Sequence, residues 1–190
     1  MSVNQEGSMC YDLNKMSKEI YKQNCLVGWW DNPKECIFQK LQLVSTEVAE
    51  STEGERKNLM DDHLPHRKMG EVELADALIR VLDLGGRLGI AYTETEVEES
   101  WCSEGNSIGM QHLGINKALI MLAIEYEYYY IQGYSSTIED TYSKLIDSIL
   151  EVGFNQEYSV LAAVEEKLIY NKNRADHRKE NRAKTNGKKF

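Results

Sequence analysis

The chain has 190 residues, of which 42% are hydrophobic and 28% are charged. This is the balance of an ordinary globular protein, and a chain of this length can bury a substantial core without disulfides. The formal net charge of -9 argues against a general nucleic-acid-binding protein, which needs positive charge to displace counterions from phosphates. It does not argue against a single nucleotide that is held through metal ions.

The composition also indicates where the protein resides. No apolar run approaches the ~20 residues that span a bilayer, and the first ten residues lack the hydrophobic core of a signal peptide. The four cysteines are scattered and form no C-x-x-C pair, as expected for thiols in a reducing compartment. We therefore predict a cytoplasmic protein without membrane contact or a nucleic-acid polymer as partner.

Long stretches favour helix, and only two prolines interrupt the chain. The pattern predicts an all-α helical bundle in a single domain, with a flexible basic tail at about 179–190. The predicted helices, in chain order, cover about 11–25, 33–54, 71–88, 115–132, 137–152 and 156–174. The segments 55–70 and 91–113 are predicted to be loops, because they are polar and lack a helical period.

A repeated carboxylate spacing is the most informative motif. Glu47 and Glu50 lie three residues apart on the second predicted helix, and Glu73 and Asp76 have the same spacing on the third. Residues three apart project side by side from a helix. We expect both pairs to lie opposite the apolar stripes of their helices, with Arg80 extending the second polar face.

Two interpretations of these acids remain open. They belong either to the solvated faces of ordinary amphipathic helices, or to a site where divalent cations offset their mutual repulsion. Carboxylate oxygens suit Mg²⁺, which often bridges to substrate phosphates, and Mn²⁺ could replace it. An antiparallel helix pair joined by the 55–70 segment would allow the four acids to meet.

The two acid pairs, with Gly28-Trp29-Trp30 and the block from Ser45 to Ile90, resemble the MazG-like all-α nucleoside triphosphate pyrophosphatases of bacteria and phages. The resemblance covers about 28–90 and 153–190, with the domain core at about 28–90 and 153–178 and a helical insertion at about 91–152. It implies hydrolysis of a (deoxy)nucleoside triphosphate to the monophosphate and pyrophosphate, with Glu47, Glu50, Glu73 and Asp76 binding Mg²⁺ at the catalytic centre. It also implies a homo-oligomer, a dimer or tetramer.

The family also offers a first substrate to test, although no residue of this sequence reads the base directly. A MazZ-like phage subgroup acts on guanine nucleotides, so dGTP or GTP is the first substrate to test. Alternatives are a related pyrophosphatase acting on phosphoribosyl-ATP or an alarmone, and a catalytically silent helical binding protein.

The last predicted helix carries Lys167, Asn171 and Arg174 along one face. In the family this pattern contributes to phosphate binding. Lysine supplies a compact positive charge there, and arginine a planar fork for phosphate oxygens. The alternative is a solubilising helix end whose cations complement the helix dipole.

Aromatic and histidine residues give weaker signals. Trp29 and Trp30 precede the second predicted helix, and either could stack on a nucleobase or close the core. His63 and His66 flank Pro65. We expect them to have a structural or interface role rather than to form a metal pair.

Overall fold

The structure is a computed structural model that describes residues 2–3, 9–31, 37–94, 101–133 and 137–174. In these residues it is all-α, as predicted, apart from a ribbon of two short antiparallel strands, β1 (Ser2–Val3) and β2 (Met9–Cys10). The helices are α1 (Leu13–Leu26), α2 (Ile37–Lys57), α3 (Met69–Leu88), α4 (Ile108–Tyr126), α5 (Ile138–Asn155) and α6 (Val160–Asn173). One π-helical turn, Glu127–Ile131, extends α4.

Several helix boundaries differ from the prediction; for example, α5 continues past the predicted residue 152 to Asn155. Helix α2 continues past Gly54 to Lys57, while its predicted start at Pro33 lies outside the described residues. Helix α4 begins at Ile108, within the predicted loop, because the Ser107 side chain accepts a hydrogen bond from the Met110 amide and caps the helix. Helix α6 begins only at Val160, since the backbone before it turns through a positive φ of 59° at Glu157.

Helix α3 lies at the centre of the bundle. It packs against α1, α2, α5 and α6, and it is buried along most of its length, including the acidic Glu71, Glu73 and Asp83. A helix with neighbours on several sides cannot keep a solvated polar face.

The prediction that the acids lie opposite the apolar stripes is therefore wrong for the two acids of α3 and for Glu47 of α2, whereas Glu50 is exposed. On α2, Glu47 is buried on the same stripe as Val44 and Val48, because all three share the three- and four-residue spacing.

The α2–α3 pair is antiparallel and very close at one end. A Cβ atom added to Gly54 would lie 2.9 Å from the Gly70 backbone nitrogen, so only glycine fits there without displacing the neighbouring chain. Ser51, one turn earlier, donates from its hydroxyl to the Gly70 carbonyl over 3.0 Å. The close approach brings the next buried turns of α2 and α3 into side-chain contact.

The region predicted as an insertion is helical and packs onto the rest of the bundle. Helix α4 contacts α2 and α5, and α5 contacts α3. The predicted tail at 179–190 lies outside the described residues. None of the helices in the described ranges is both long enough and apolar enough to cross a membrane.

Candidate metal centre

Three carboxylates from two helices meet at the α2–α3 interface. Glu47 of α2 and Glu73 and Asp76 of α3 each offer an oxygen, and these oxygens all lie within 4.8 Å of one another. Both glutamates are buried and Asp76 is half-buried. Within the described part of the chain, this carboxylate cluster is the one group of three or more His, Cys, Asp or Glu side chains close enough to share a metal ion.

The cluster is electrostatically costly for the protein by itself. Burial, the Asp76 charge and a hydrogen bond with Glu47 raise the pKa of Glu73 well above its usual range. Burial also raises the pKa of Asp76 to about 6, although nearby Lys167 opposes the change. The raised pKa values of Glu73 and Asp76 indicate that full ionisation of the cluster is unfavourable in the folded protein. A bound cation would offset this cost.

Two basic side chains flank the cluster. The Arg80 Nε donates to Glu47 Oε1 over 2.6 Å, and the Lys167 Nζ donates to Asp76 Oδ2 over 2.8 Å. Burial disfavours the charged amine of Lys167, but the Asp76 carboxylate outweighs it, so the pKa of Lys167 is raised and the side chain stays cationic. Three carboxylates against two bases leave the centre with an unbalanced negative charge when all are ionised.

The donor set fits a hard divalent cation. All three potential ligands are carboxylate oxygens, without a sulfur or imidazole, which suits Mg²⁺ or Mn²⁺ better than Zn²⁺ or Cu²⁺. Three protein ligands would leave coordination positions for water or a substrate oxygen. The cluster is thus a possible metal-binding site.

Glu50, the fourth predicted ligand, does not belong to this group. Glu47 is buried, whereas Glu50 is exposed on α2. Three residues turn a helix by about 300°, so the two side chains diverge by roughly 60°. At the tight α2–α3 contact this angle is enough to place one acid inside the interface and the other outside it.

The predicted phosphate-binding residues of α6 lie in different surroundings. Lys167 is buried in the carboxylate cluster, and the Asn171 side-chain oxygen is buried without a hydrogen-bond partner among the described residues. Arg174 follows the end of α6, and its guanidinium carbon lies 5.6 Å from the centre of the Tyr170 ring. Lys167 therefore connects the carboxylate cluster to the C-terminal part of α6.

The loop between α2 and α3 is anchored on α6 by both histidines. The His63 ring lies 4.7 Å from the Tyr170 ring, and its pKa is lowered by burial and by the charges of Lys167 and Arg174. The His66 Nε2 lies 2.7 Å from Glu166. These contacts agree with the structural role expected for the histidines.

The spacing of the two acid pairs does not single out Arg80 as a neighbour of the site, nor Tyr170 as a neighbour of His63 and Arg174. The sequence predicts Arg80 only as part of a polar face, although its position four residues after Asp76 places both on one side of α3. Tyr170 lies three residues after Lys167, so the same rule could have placed it beside the predicted phosphate-binding residues. The spacing could not show which face of α2 packs against which face of α3.

The two tryptophans form a separate half-buried aromatic group. The Trp30 indole nitrogen donates to Asp83 Oδ1 over 3.1 Å, and the ring packs edge-on against Tyr21. The Lys40 ammonium lies over both indoles, 5.4 Å from the Trp29 ring centre and 4.8 Å from that of Trp30. Hence the tryptophans contact α2 and α3 through Lys40 and Asp83.

No family model matches the chain, and no curated protein or solved structure matches it either.

Proposed function

We propose that the protein hydrolyses a nucleoside triphosphate to the monophosphate and pyrophosphate with the help of Mg²⁺. The proposal rests on the carboxylate cluster of Glu47, Glu73 and Asp76, which lies beside two cationic side chains, Arg80 and Lys167. Buried acids that raise one another's pKa values weaken a fold, so a binding or catalytic role explains their presence better than a structural one.

The carboxylate cluster would hold the ion through its three acids. A bound Mg²⁺ supplies positive charge to phosphate oxygens and activates water for hydrolysis. Lys167 and Arg80 orient the carboxylates of Asp76 and Glu47 by direct hydrogen bonds. Lys167 has three donors and uses one on Asp76, so it can also donate to a phosphate oxygen.

The distance between the two tryptophans and the carboxylate cluster suits the nucleoside part of a bound nucleotide. Lys40 and Asp83, which contact them, each stand seven residues from a cluster acid, Glu47 and Asp76 respectively. Seven residues are almost two helical turns, or roughly 10 Å along each helix axis, on nearly the same face. A nucleotide with its phosphates at the cluster could therefore reach the tryptophans with its base.

The direct test is product identity. Purified protein with Mg²⁺ is incubated with each of the common ribo- and deoxyribonucleoside triphosphates, dGTP and GTP included, and phosphorus NMR identifies the products. We expect monophosphate and pyrophosphate from at least one of them, and no single phosphate. Phosphoribosyl-ATP and an alarmone complete the panel, because activity on these alone would point to a related pyrophosphatase.

Matched variants test the site itself. Glu47→Gln and Asp76→Asn should each abolish turnover while the helical circular dichroism spectrum is unchanged. Glu53→Gln, on the outer side of α2, is the control and should retain activity. Retained turnover in both cluster variants, or an inert wild type across the whole panel, would refute the proposal and favour a helical binding protein.

A further inference from the structure

The imidazole of His63 has unused hydrogen-bonding capacity. His63 is exposed in the loop between α2 and α3, and its ring lies 4.7 Å from the Tyr170 ring of α6. No hydrogen bond from the described part of the chain reaches its two ring nitrogens. His66 differs, because its Nε2 lies 2.7 Å from a Glu166 oxygen. A neutral imidazole donates through one nitrogen and accepts through the other, so the His63 ring can bind a polar ligand.

The charges around this ring come from α6 and from the loop itself. Partial burial, Lys167 of α6 and Arg174 just after it lower the pKa of His63. The loop carboxylates Asp61 and Asp62 oppose the change. Asp61 already accepts hydrogen bonds from two backbone amides of the loop. The ring is therefore mostly neutral at pH 7, and it lies within electrostatic reach of two cations.

The carboxylate cluster stands between His63 and the tryptophans along α3. The Trp30 indole contacts Asp83, seven residues after Asp76 and roughly 10 Å further along the helix. In the other direction, seven residues separate Asp76 from Met69, where α3 begins, and the loop with His63 precedes Met69. A nucleotide whose base lies at the tryptophans would therefore direct its outer phosphates toward this loop.

We propose that the His63 ring donates an N–H to the terminal phosphate group of the substrate, beside Lys167 and Arg174. This inference rests on the proposed function, from which it takes the triphosphate. The role is additional to the packing of His63 on Tyr170. A phosphate group beside the imidazole favours its protonated form, so the ring takes up one proton from water as the ligand binds.

Nuclear magnetic resonance of the histidine rings in the full chain tests the contact directly. The His63 signal, identified by its absence from His63→Gln, is followed through a pH titration with Mg²⁺ alone and with Mg²⁺ plus inorganic pyrophosphate. Pyrophosphate should raise the midpoint of His63 by about one pH unit. Sodium chloride at the same ionic strength controls for screening of the two cations and should have a much smaller effect. The His66 signal is the internal control and should not respond to pyrophosphate.

The affinity for pyrophosphate tests the same contact in matched variants. His63→Gln keeps a hydrogen-bond donor but cannot take up the proton. Calorimetry with Mg²⁺ should show binding weakened by about tenfold at pH 6, and by no more than about threefold at pH 8. His66→Gln is the control and should bind like the wild type at both pH values. The titration of pyrophosphate itself is common to all three proteins and cancels in the ratios.

The outcomes separate this proposal from the hydrolysis, because binding of pyrophosphate requires no turnover. An active protein whose His63 signal does not respond to pyrophosphate would refute the phosphate contact and leave the hydrolysis standing. A responsive His63 in an inert protein would support the contact and refute the hydrolysis. An equal response to chloride, or equal losses of affinity in His63→Gln and His66→Gln, would also overturn the contact.

Discussion

Lys167 on α6 donates to Asp76 on α3 across 2.8 Å, and its side chain is almost completely buried. The two residues are far apart in the sequence, and their contact joins α6 to the carboxylate cluster. A buried lysine between acids can serve the fold and a phosphate-binding site together. Substitution of Lys167 separates these roles.

Lys167→Met should destabilise the metal-free protein by about 3 kcal/mol, because Asp76 then becomes a buried charge without its partner. Urea unfolding in the presence of EDTA measures the loss. Adding Asp76→Asn to the same chain should recover most of it, since the neutral amide needs no counterion. An equal loss of unfolding free energy in the single and double variants would show that Lys167 stabilises the fold through the packing of its aliphatic stem and not through its charge.

Glu73→Gln should make the metal-free protein more stable and should weaken its binding of Mg²⁺. The raised pKa of Glu73 means that the folded state binds more protons than the unfolded state above pH 4.5. Wild-type stability therefore falls as pH rises through that range, whereas glutamine does not titrate. At pH 8 we expect the variant to gain about 1–2 kcal/mol.

Thermal unfolding with EDTA and with Mg²⁺ measures both sides of this exchange. Mg²⁺ should raise the Tm of the wild type and of Glu53→Gln, because it binds only the folded state. The increase should be largely absent in Glu73→Gln. If Mg²⁺ leaves the Tm unchanged in all three proteins, the result would argue against a metal at this cluster.

His112 should make the protein sensitive to mild acid. Its ring is buried between α4 and α2, its Nε2 has no hydrogen-bond partner among the described residues, and burial lowers its pKa to about 4. The unfolded chain has a histidine pKa near 6.5, so between the two values only the unfolded state binds the proton. Stability should fall by up to about 3 kcal/mol as the pH drops from 6.5 to 4.

The variant His112→Gln isolates this contribution. The difference in unfolding free energy between wild type and His112→Gln, measured by urea at several pH values, cancels the titration of the carboxylates. As the pH falls, the unfolding free energy of the wild type should decrease relative to that of His112→Gln. A constant difference would mean that the ring is protonated in the folded protein or is hydrated.

Gly85→Ala should destabilise the bundle by about 1–3 kcal/mol, because the new Cβ would lie 2.1 Å from the Tyr142 hydroxyl oxygen. Gly109→Ala is the matched control, since no atom outside its own helix lies within 4 Å of the Cβ position. That control should gain about 0.5–1 kcal/mol from the lower entropy of the unfolded chain. Thermal unfolding of both variants checks the sign, and equal effects would contradict the close packing of α3 on α5.

The sequence alone determined the helical class and most helix positions, because apolar spacing and the scarcity of proline are local signals. It also singled out Glu47, Glu73 and Asp76 by their spacing, and Lys167 by its place on the last helix. These predictions depend only on residues a few positions apart. The hydrolytic activity and the nucleotide remain predictions.

The tertiary structure decided which acids meet. Local spacing treats Glu47 and Glu50 alike, but the close contact of α2 with α3 buries Glu47 and leaves Glu50 exposed. It also placed Arg80 beside Glu47 and Lys167 beside Asp76, through contacts between helices. Burial then raises the pKa values of Glu73 and Asp76, and burial is a property of the assembled bundle rather than of any segment.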